Sequence, residues 1–455
     1  MSLRQRIMGF YYMIFLSFLS WIMFFVFYLQ ERKLLCPPVL FNAWWAITFM
    51  VDEINPYHLF SVSTEALLII ALGWFIFNLF SVLYLYPYHK KPVPDHHSTE
   101  LVFDYNTDKI SKFLFGTQIF IAILMLFLLI RIIPFYFSRS LLEIRDAAAA
   151  GAFKDGTVYM TTFQRLLFIH WLVFPLTKSL FVITSILWMT NKIQLKCFLI
   201  ALVNMFFMTL ICASRLPAFF AVIMLIFCLT ELRKRADRVK KNKKSKWIKL
   251  LLACALVYIV VNGYSRDNSP TGVVYSILKS TITYFTGGMH LFTNALNNKA
   301  ASGLNQYSFI VITFRGIISV CNQILYYCTG GWIPLLSSKF SLGYLDASNQ
   351  IGQHDFINAF PTMYYYFMRD LGVLGVIVYT SIFAVIANMV YRKYKINRSV
   401  VSLIFLLEID FIIFFSVCWW FPFKQEYSMQ IVYYFVLFKL FGMRKWRNQH
   451  DRRID

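Results

Sequence analysis

The sequence predicts an all-α, polytopic integral membrane protein of about eleven to thirteen transmembrane helices, with one long external segment between the later helices. Three observations carry this expectation. Of 455 residues, 59% are hydrophobic, mean hydropathy is +0.59, and Phe alone contributes 48. The apolar residues gather into long runs, and a bilayer core about 30 Å thick takes about 20 such residues per helix. Between the runs, Lys and Arg collect in discrete clusters, as they do in loops held on the cytoplasmic side.

The first run, 8–29, stands behind Arg4 and Arg6. It is long for the apolar core of a signal peptide and no small-x-small cleavage site follows it, so it reads as a retained span. Further runs lie at 38–50, which is short, and at 66–86, 113–137, 166–189, 197–212, 216–232, 250–264, 363–391, 400–421 and 431–443. Two weaker stretches, 273–291 and 309–328, are readable as spans, re-entrant helices or helices on the membrane surface. Three regions follow: N-terminal helices with short loops over 1–261, a long external segment over 262–362, and C-terminal helices with a basic tail over 363–455.

Orientation comes from the basic clusters. The loop 233–249 holds ten Lys and Arg residues, and Lys90 with Lys91, Lys192 with Lys196, Arg392 to Arg398, and Arg444 to Arg453 vote the same way. With these inside, 137–162, the turn at Ser214, the segment from Asn262 and the turn 421–430 face outward. The N-terminus stays undecided, because Arg4, Arg6 and Arg32 flank the first span on both sides.

A formal charge of +22 invites a nucleic-acid partner, but most of it sits in these cytoplasmic loops. There it sets topology and attracts anionic headgroups, so no nucleic acid is expected. The eight cysteines form neither a CxxC pair nor a Cys/His cluster, and Cys321 and Cys328 are two helical turns apart, too far to bridge. No DxD or HExxH motif offers a metal site, and the neighbours of Asp95, His96 and His97 mark a solvated cytoplasmic loop. No metal or cofactor is expected. The halves show no related repeat, which favours an enzyme over an alternating-access carrier.

Arginines at the outer ends of spans carry the chemistry. Arg215 stands in a tight turn, after Ser214 and before Leu216 and Pro217, and a proline there suits the start of a helix. A guanidinium beside a helix N-terminus holds phosphate well; the competing account is that it snorkels or pairs with an acid. Arg315 is the lone charge in the apolar stretch 309–328, where an ion needs a polar cavity or a partner. Arg145 and Arg266 lie outside the runs beside Glu143, Asp146 and Asp267, so local pairing explains them equally well.

A third element runs from Asn358 through Thr362, Tyr364, Tyr365, Tyr366, Arg369 and Asp370 to Gly372 and Gly375. The two glycines put small residues on one helix face. The tyrosines read as an aromatic belt or as platforms for sugar rings, and Asp370 as an interfacial acid neutralised by Arg369. For a proton acceptor the outer segment offers His354, Asp355, Asp346, Asp267 and His290. His354 with Asp355 is preferred, being closest to Asn358 and Thr362.

The Ser-Arg turn at 214–215, the external segment, the Asn358…Thr362…Asp370-Leu371-Gly372…Gly375 entry and the early stretch 36–45 together resemble the O-antigen, or oligosaccharide repeat-unit, polymerases of the Wzy family. The likeness covers most of the chain as an order of spans and loops. Where that family carries an aromatic between Asp and Gly, this chain has Leu371. The resemblance implies a metal-independent glycosyltransferase of the bacterial inner membrane. Its donor and acceptor would be oligosaccharides on undecaprenyl pyrophosphate, joined at the outer face, with a chain-length regulator as a further partner. Arg215, Arg315, Arg145 and Arg266 would then grip pyrophosphate, Asn358, Tyr365 and Asp370 would meet glycan, and His354 with Asp355 would take the proton. An O-antigen ligase shares architecture and chemistry, a lipid-linked oligosaccharide flippase shares the lipid, and an acyltransferase would need a buried His-Asn or His-Asp pair on helices that the sequence does not reveal.

Overall fold

The computed structural model describes residues 3–56, 58–89, 107–236, 273–336, 344, 349–352, 356–357 and 361–441. Over these the chain is helical nearly throughout, as expected. Helices α1 (Leu3–Glu31), α2 (Pro37–Ile54), α3 (Thr64–His89) and α4 (Thr107–Ser138) come first. Then follow α5 (Leu141–Ala150), α6 (Thr162–Arg165) with a π-helical turn Leu166–Trp171, α7 (Val173–Met189), α8 (Leu195–Cys212) and α9 (Leu216–Ala236). Beyond them lie α10 (Val273–Asn297), α11 (Lys299–Ser302), α12 (Arg315–Cys328), strands β1 (Asn349–Gln350) and β2 (Phe356–Ile357), α13 (Met363–Leu371), α14 (Val373–Asn397), α15 (Val400–Phe415) and α16 (Gln425–Leu440).

Among the described residues, six helices are long and apolar enough to cross a membrane: Tyr11–Glu31, Thr64–Leu85, Asp108–Ser138, Thr162–Met189, Leu195–Cys212 and Val373–Asn397. Leu216–Leu232 is a shorter apolar helix. The expected span at 250–264 and the basic loop 233–249 fall largely or wholly outside the described residues.

Contacts divide the chain into two compact units that interleave along the sequence. The first holds 1–97, 277–396 and 408–425; the second holds 98–276, 397–407 and 426–455. In the first, α1 lies along α2 with Ser17 donating to the Ala46 carbonyl at 3.1 Å. Between α2 and α3, the Phe41 and Phe77 rings stack at 3.9 Å and the Asn42 and Asn78 amides pair at 2.6 Å. Buried amides paired in this way pin helix register where apolar packing alone would let helices slide. In the second unit the Asn204 amide donates to the Gln118 carbonyl at 3.0 Å, and Gln118 donates to the Thr184 hydroxyl at 2.7 Å, tying α8, α4 and α7.

The first unit also aligns its helix ends. At the end of α1, Glu31 accepts from Tyr391 at 2.7 Å and pairs with Lys395 at 3.0 Å near the end of α14. In the first unit the ends of α1 and α14 therefore lie side by side.

One expected span is two helices. The run 363–391 breaks at Gly372, whose φ is +61°, and whose missing side chain leaves room for the Tyr307 ring. Gly375 sits so close to the Phe367 carbonyl that a Cβ would collide with it. The glycine pair therefore serves a bend between α13 and α14 rather than a helix-helix seam, because an L side chain is strained at that φ and glycine is not.

Candidate functional site

The first unit contains a buried carboxylate–imidazole pair. Asp52 stands in the last turn of α2, which ends at Asn55 in the left-handed conformation. His290 stands in α10, and its Nε2 lies 2.7 Å from Asp52 Oδ1 with the two side chains 4% and 3% exposed. A neutral ring that donates Nε2–H to the carboxylate carries its lone pair on the second nitrogen. That Nδ1 is buried and has no hydrogen-bond partner among the described residues. An imidazole oriented by a carboxylate, with its far nitrogen unspent, is the arrangement of a proton acceptor.

The next turn of α10 is covered by two loops. Thr293 accepts from the Ser63 amide at 3.1 Å, and Asn294 donates to the Gln350 carbonyl at 2.7 Å. The Phe60 amide in turn donates to the Ile351 carbonyl at 2.8 Å. The strand pair β1–β2, in antiparallel register with Asn349 opposite Ile357, extends this cover.

The same unit brings three of the sequence-predicted residues onto neighbouring elements. Arg315 begins α12, and its guanidinium lies 5.0 Å from the centre of the Phe423 ring, a cation–π contact. Asp370 is fully buried in α13, but its carboxylate faces the turn ahead of α12. It accepts from the Ser308 hydroxyl at 2.9 Å, the Ile312 amide at 2.9 Å and the Thr313 amide at 2.7 Å. Those amides belong to the turn ahead of α12, so the anion ties that turn to α13. Arg369 therefore does not account for Asp370; its guanidinium packs on Gly303 and hydrogen-bonds the Tyr365 hydroxyl.

The three tyrosines are neither a belt nor a platform. Tyr364, Tyr365 and Tyr366 are all buried. Tyr364 lies on Gly73, Tyr365 donates to the Ser302 carbonyl at 2.8 Å, and Tyr366 packs 5.3 Å from Phe423. In α13, all eight residues from Met363 to Asp370 are buried, so these rings are internal packing.

Arg215 belongs to the second unit. Its turn has the expected form: Ala213 is left-handed, the Ser214 hydroxyl accepts from the Leu216 amide at 3.3 Å, and α9 begins at Leu216 with Pro217 in its first turn. The last carbonyls of α8 ahead of it are capped by tyrosine hydroxyls, Tyr136 on Leu210 and Tyr159 on Ile211. In the same unit Lys178 meets Glu426 at 2.6 Å and lies 5.2 Å from the Phe220 ring centre. Arg145 pairs at 3.1 Å with its neighbour Asp146, both substantially exposed. Nearby, Arg139 pairs with Asp155, and hydrogen bonds from Thr157, then the Arg139 guanidinium, hold the Asp155 carboxyl down at about 2. His354, Asp355, Asn358, Arg266, Asp267 and Asp346 lie outside the described residues.

Sequence reasoning misses Asp52, because the apolar run 38–50 stops before it. It also misses Lys178, Glu408 and Asp410, all buried within apolar runs. The signal was there: an ionisable residue inside such a run is a functional or structural site by default. Among the described residues no three His, Cys, Asp or Glu side chains group as a metal site. No family model, curated protein or solved structure matches this chain.

Proposed function

We propose that this protein is a membrane glycosyltransferase that polymerises undecaprenyl-pyrophosphate-linked oligosaccharide repeat units at the outer face of the bacterial inner membrane. The observation that carries the reading is the Asp52–His290 dyad, with its unspent Nδ1, in the unit that also holds Arg315. In glycosyl transfer an acceptor hydroxyl attacks the anomeric carbon of the donor. The new C–O bond forms as the bond to pyrophosphate breaks, the electron pair leaves with the phosphate oxygen, and the hydroxyl proton needs an acceptor. His290 Nδ1 takes that proton while Asp52 steadies the imidazolium. Guanidinium charge at Arg315 offsets the charge that grows on the leaving group. The dyad is closed from solvent here, so access requires the cover formed by 60–63 and 349–352 to open.

A buried carboxylate–imidazole pair among apolar helices also suits proton-coupled transport, which keeps a lipid-linked oligosaccharide flippase as the second reading. The deciding experiment reconstitutes the purified protein in vesicles with undecaprenyl-pyrophosphate oligosaccharide. A ladder of longer glycans with release of undecaprenyl pyrophosphate is expected. Movement of the lipid across the bilayer with no ladder would instead identify the flippase, and transfer only to a different acceptor would identify a ligase. Comparing His290→Gln with His354→Gln in the same assay assigns the base.

A further inference from the structure

We propose that the segment from Tyr307 to Leu336 is embedded in the bilayer interface, with one apolar stripe of α12 turned into lipid. Helix α12 has 14 residues, so it is about 21 Å long and too short to span a core of about 30 Å. Its exposed residues include Ile317, Cys321, Ile324, Leu325 and Cys328, which recur at the spacing of a single helix face. Its polar residues turn the other way. Ser319 accepts from Gln425, and Asn322 donates to the Pro334 carbonyl at 3.1 Å while accepting from the Leu336 amide at 2.8 Å. A helix in water hides its apolar face; this one shows it and spends its polar face on the protein, the polarity of a helix whose solvent is lipid.

The depth follows from a second set of contacts. The Tyr379 hydroxyl donates to the Phe309 carbonyl at 2.7 Å, and Tyr307 packs at Gly372. Tyr379 lies about 9 Å along α14 from Val373, and α14 is itself long and apolar enough to cross the membrane. The turn before α12 is thus held level with the first two turns of a spanning helix. There Phe309 is 70% exposed while its amide donates to the Asp370 carbonyl at 2.9 Å, and Val373 and Leu374 at the start of α14 are exposed as well. Trp332 is 88% exposed and Tyr327 is exposed, the residue types that settle at headgroup level. Between Lys299 and Lys339 the only Lys, Arg, Asp or Glu is Arg315, and its guanidinium is turned onto Phe423.

The test uses the full-length protein in vesicles of phosphatidylethanolamine and phosphatidylglycerol, with nitroxide labels placed singly from 317 to 328. Oxygen, which partitions into lipid, should relax labels at 317, 321, 324 and 328 several-fold more than a water-soluble nickel complex does, with a helical dip at 319, 320 and 323. Because labels on the buried face can disturb the fold, a second measurement stands beside the scan. Bromine-bearing acyl chains should quench the part of the tryptophan emission that Trp332→Phe removes. Preferential nickel access at 321, 324 and 328 would overturn the proposal in favour of a water-facing surface. Dipolar broadening there without oxygen access would overturn it in favour of a second copy of the chain.

Discussion

The first unit sets a buried carboxylate against a buried imidazole, whereas the second sets a half-buried carboxylate against a buried ammonium, and the two pairs differ in what surrounds them. Around Lys178 and Glu426 the contacts multiply: Ser179 donates to the Gln430 carbonyl at 3.0 Å, Tyr433 to the Trp171 carbonyl at 2.8 Å, and Phe220 covers the Lys178 ammonium. That pair closes a bundle of helices. Around Asp52 and His290 one ring nitrogen has no partner among the described residues, in an interior where an unmade hydrogen bond costs about 1–3 kcal/mol.

The comparison breaks or holds first on His290→Gln. We expect chain extension to fall about 10²- to 10⁴-fold, with the thermal midpoint far less affected than in the next variant; a large loss of stability with unchanged extension per folded molecule would make the dyad structural. Lys178→Met should do the reverse. Stranding the Glu426 carboxylate should cost about 3 kcal/mol, read as a lowered unfolding midpoint in detergent, and the double change with Glu426→Leu should restore most of it while extension persists in the folded fraction.

Asp370→Ala sharpens the picture within the first unit. It leaves the Ile312 and Thr313 amides without their acceptor, should cost about 2 kcal/mol, and should loosen the turn ahead of α12, seen as faster motion of a label at 317. The smallest effect belongs to the exposed loop of the second unit. The Asp155 carboxyl is held below its ordinary range, so its contribution is complete above about pH 4 and is lost as pH falls toward about 2. Hydrogen exchange across 139–158, corrected for intrinsic rate, should quicken over that interval, and Asp155→Asn should abolish the change.

Much of this was legible in the runs themselves. The turn at Arg215 followed from a Ser, an Arg and a Pro between two apolar runs, and those signals are local. The bend at Gly372 was not, since two small residues three apart suit a helix seam as well as a break, and only the Tyr307 ring packed against the turn distinguishes them. The tyrosines at 364–366 carry no mark of depth; the Gly73 face, the Ser302 carbonyl and Phe423, far away in sequence, decide that they are interior. Asp370 looked like the partner of its neighbour Arg369. Its three donors come from a turn about 60 residues earlier, a distance over which sequence carries no pairing information.

By itself the sequence determined that this chain forms helices long and apolar enough to cross a bilayer, because transfer into a bilayer depends on composition summed over a run. Which ionisable groups meet was decided only by the tertiary structure. An ion pair requires two side chains within a few ångströms, and Asp52 and His290, 238 positions apart, are joined by the packing of α2 against α10.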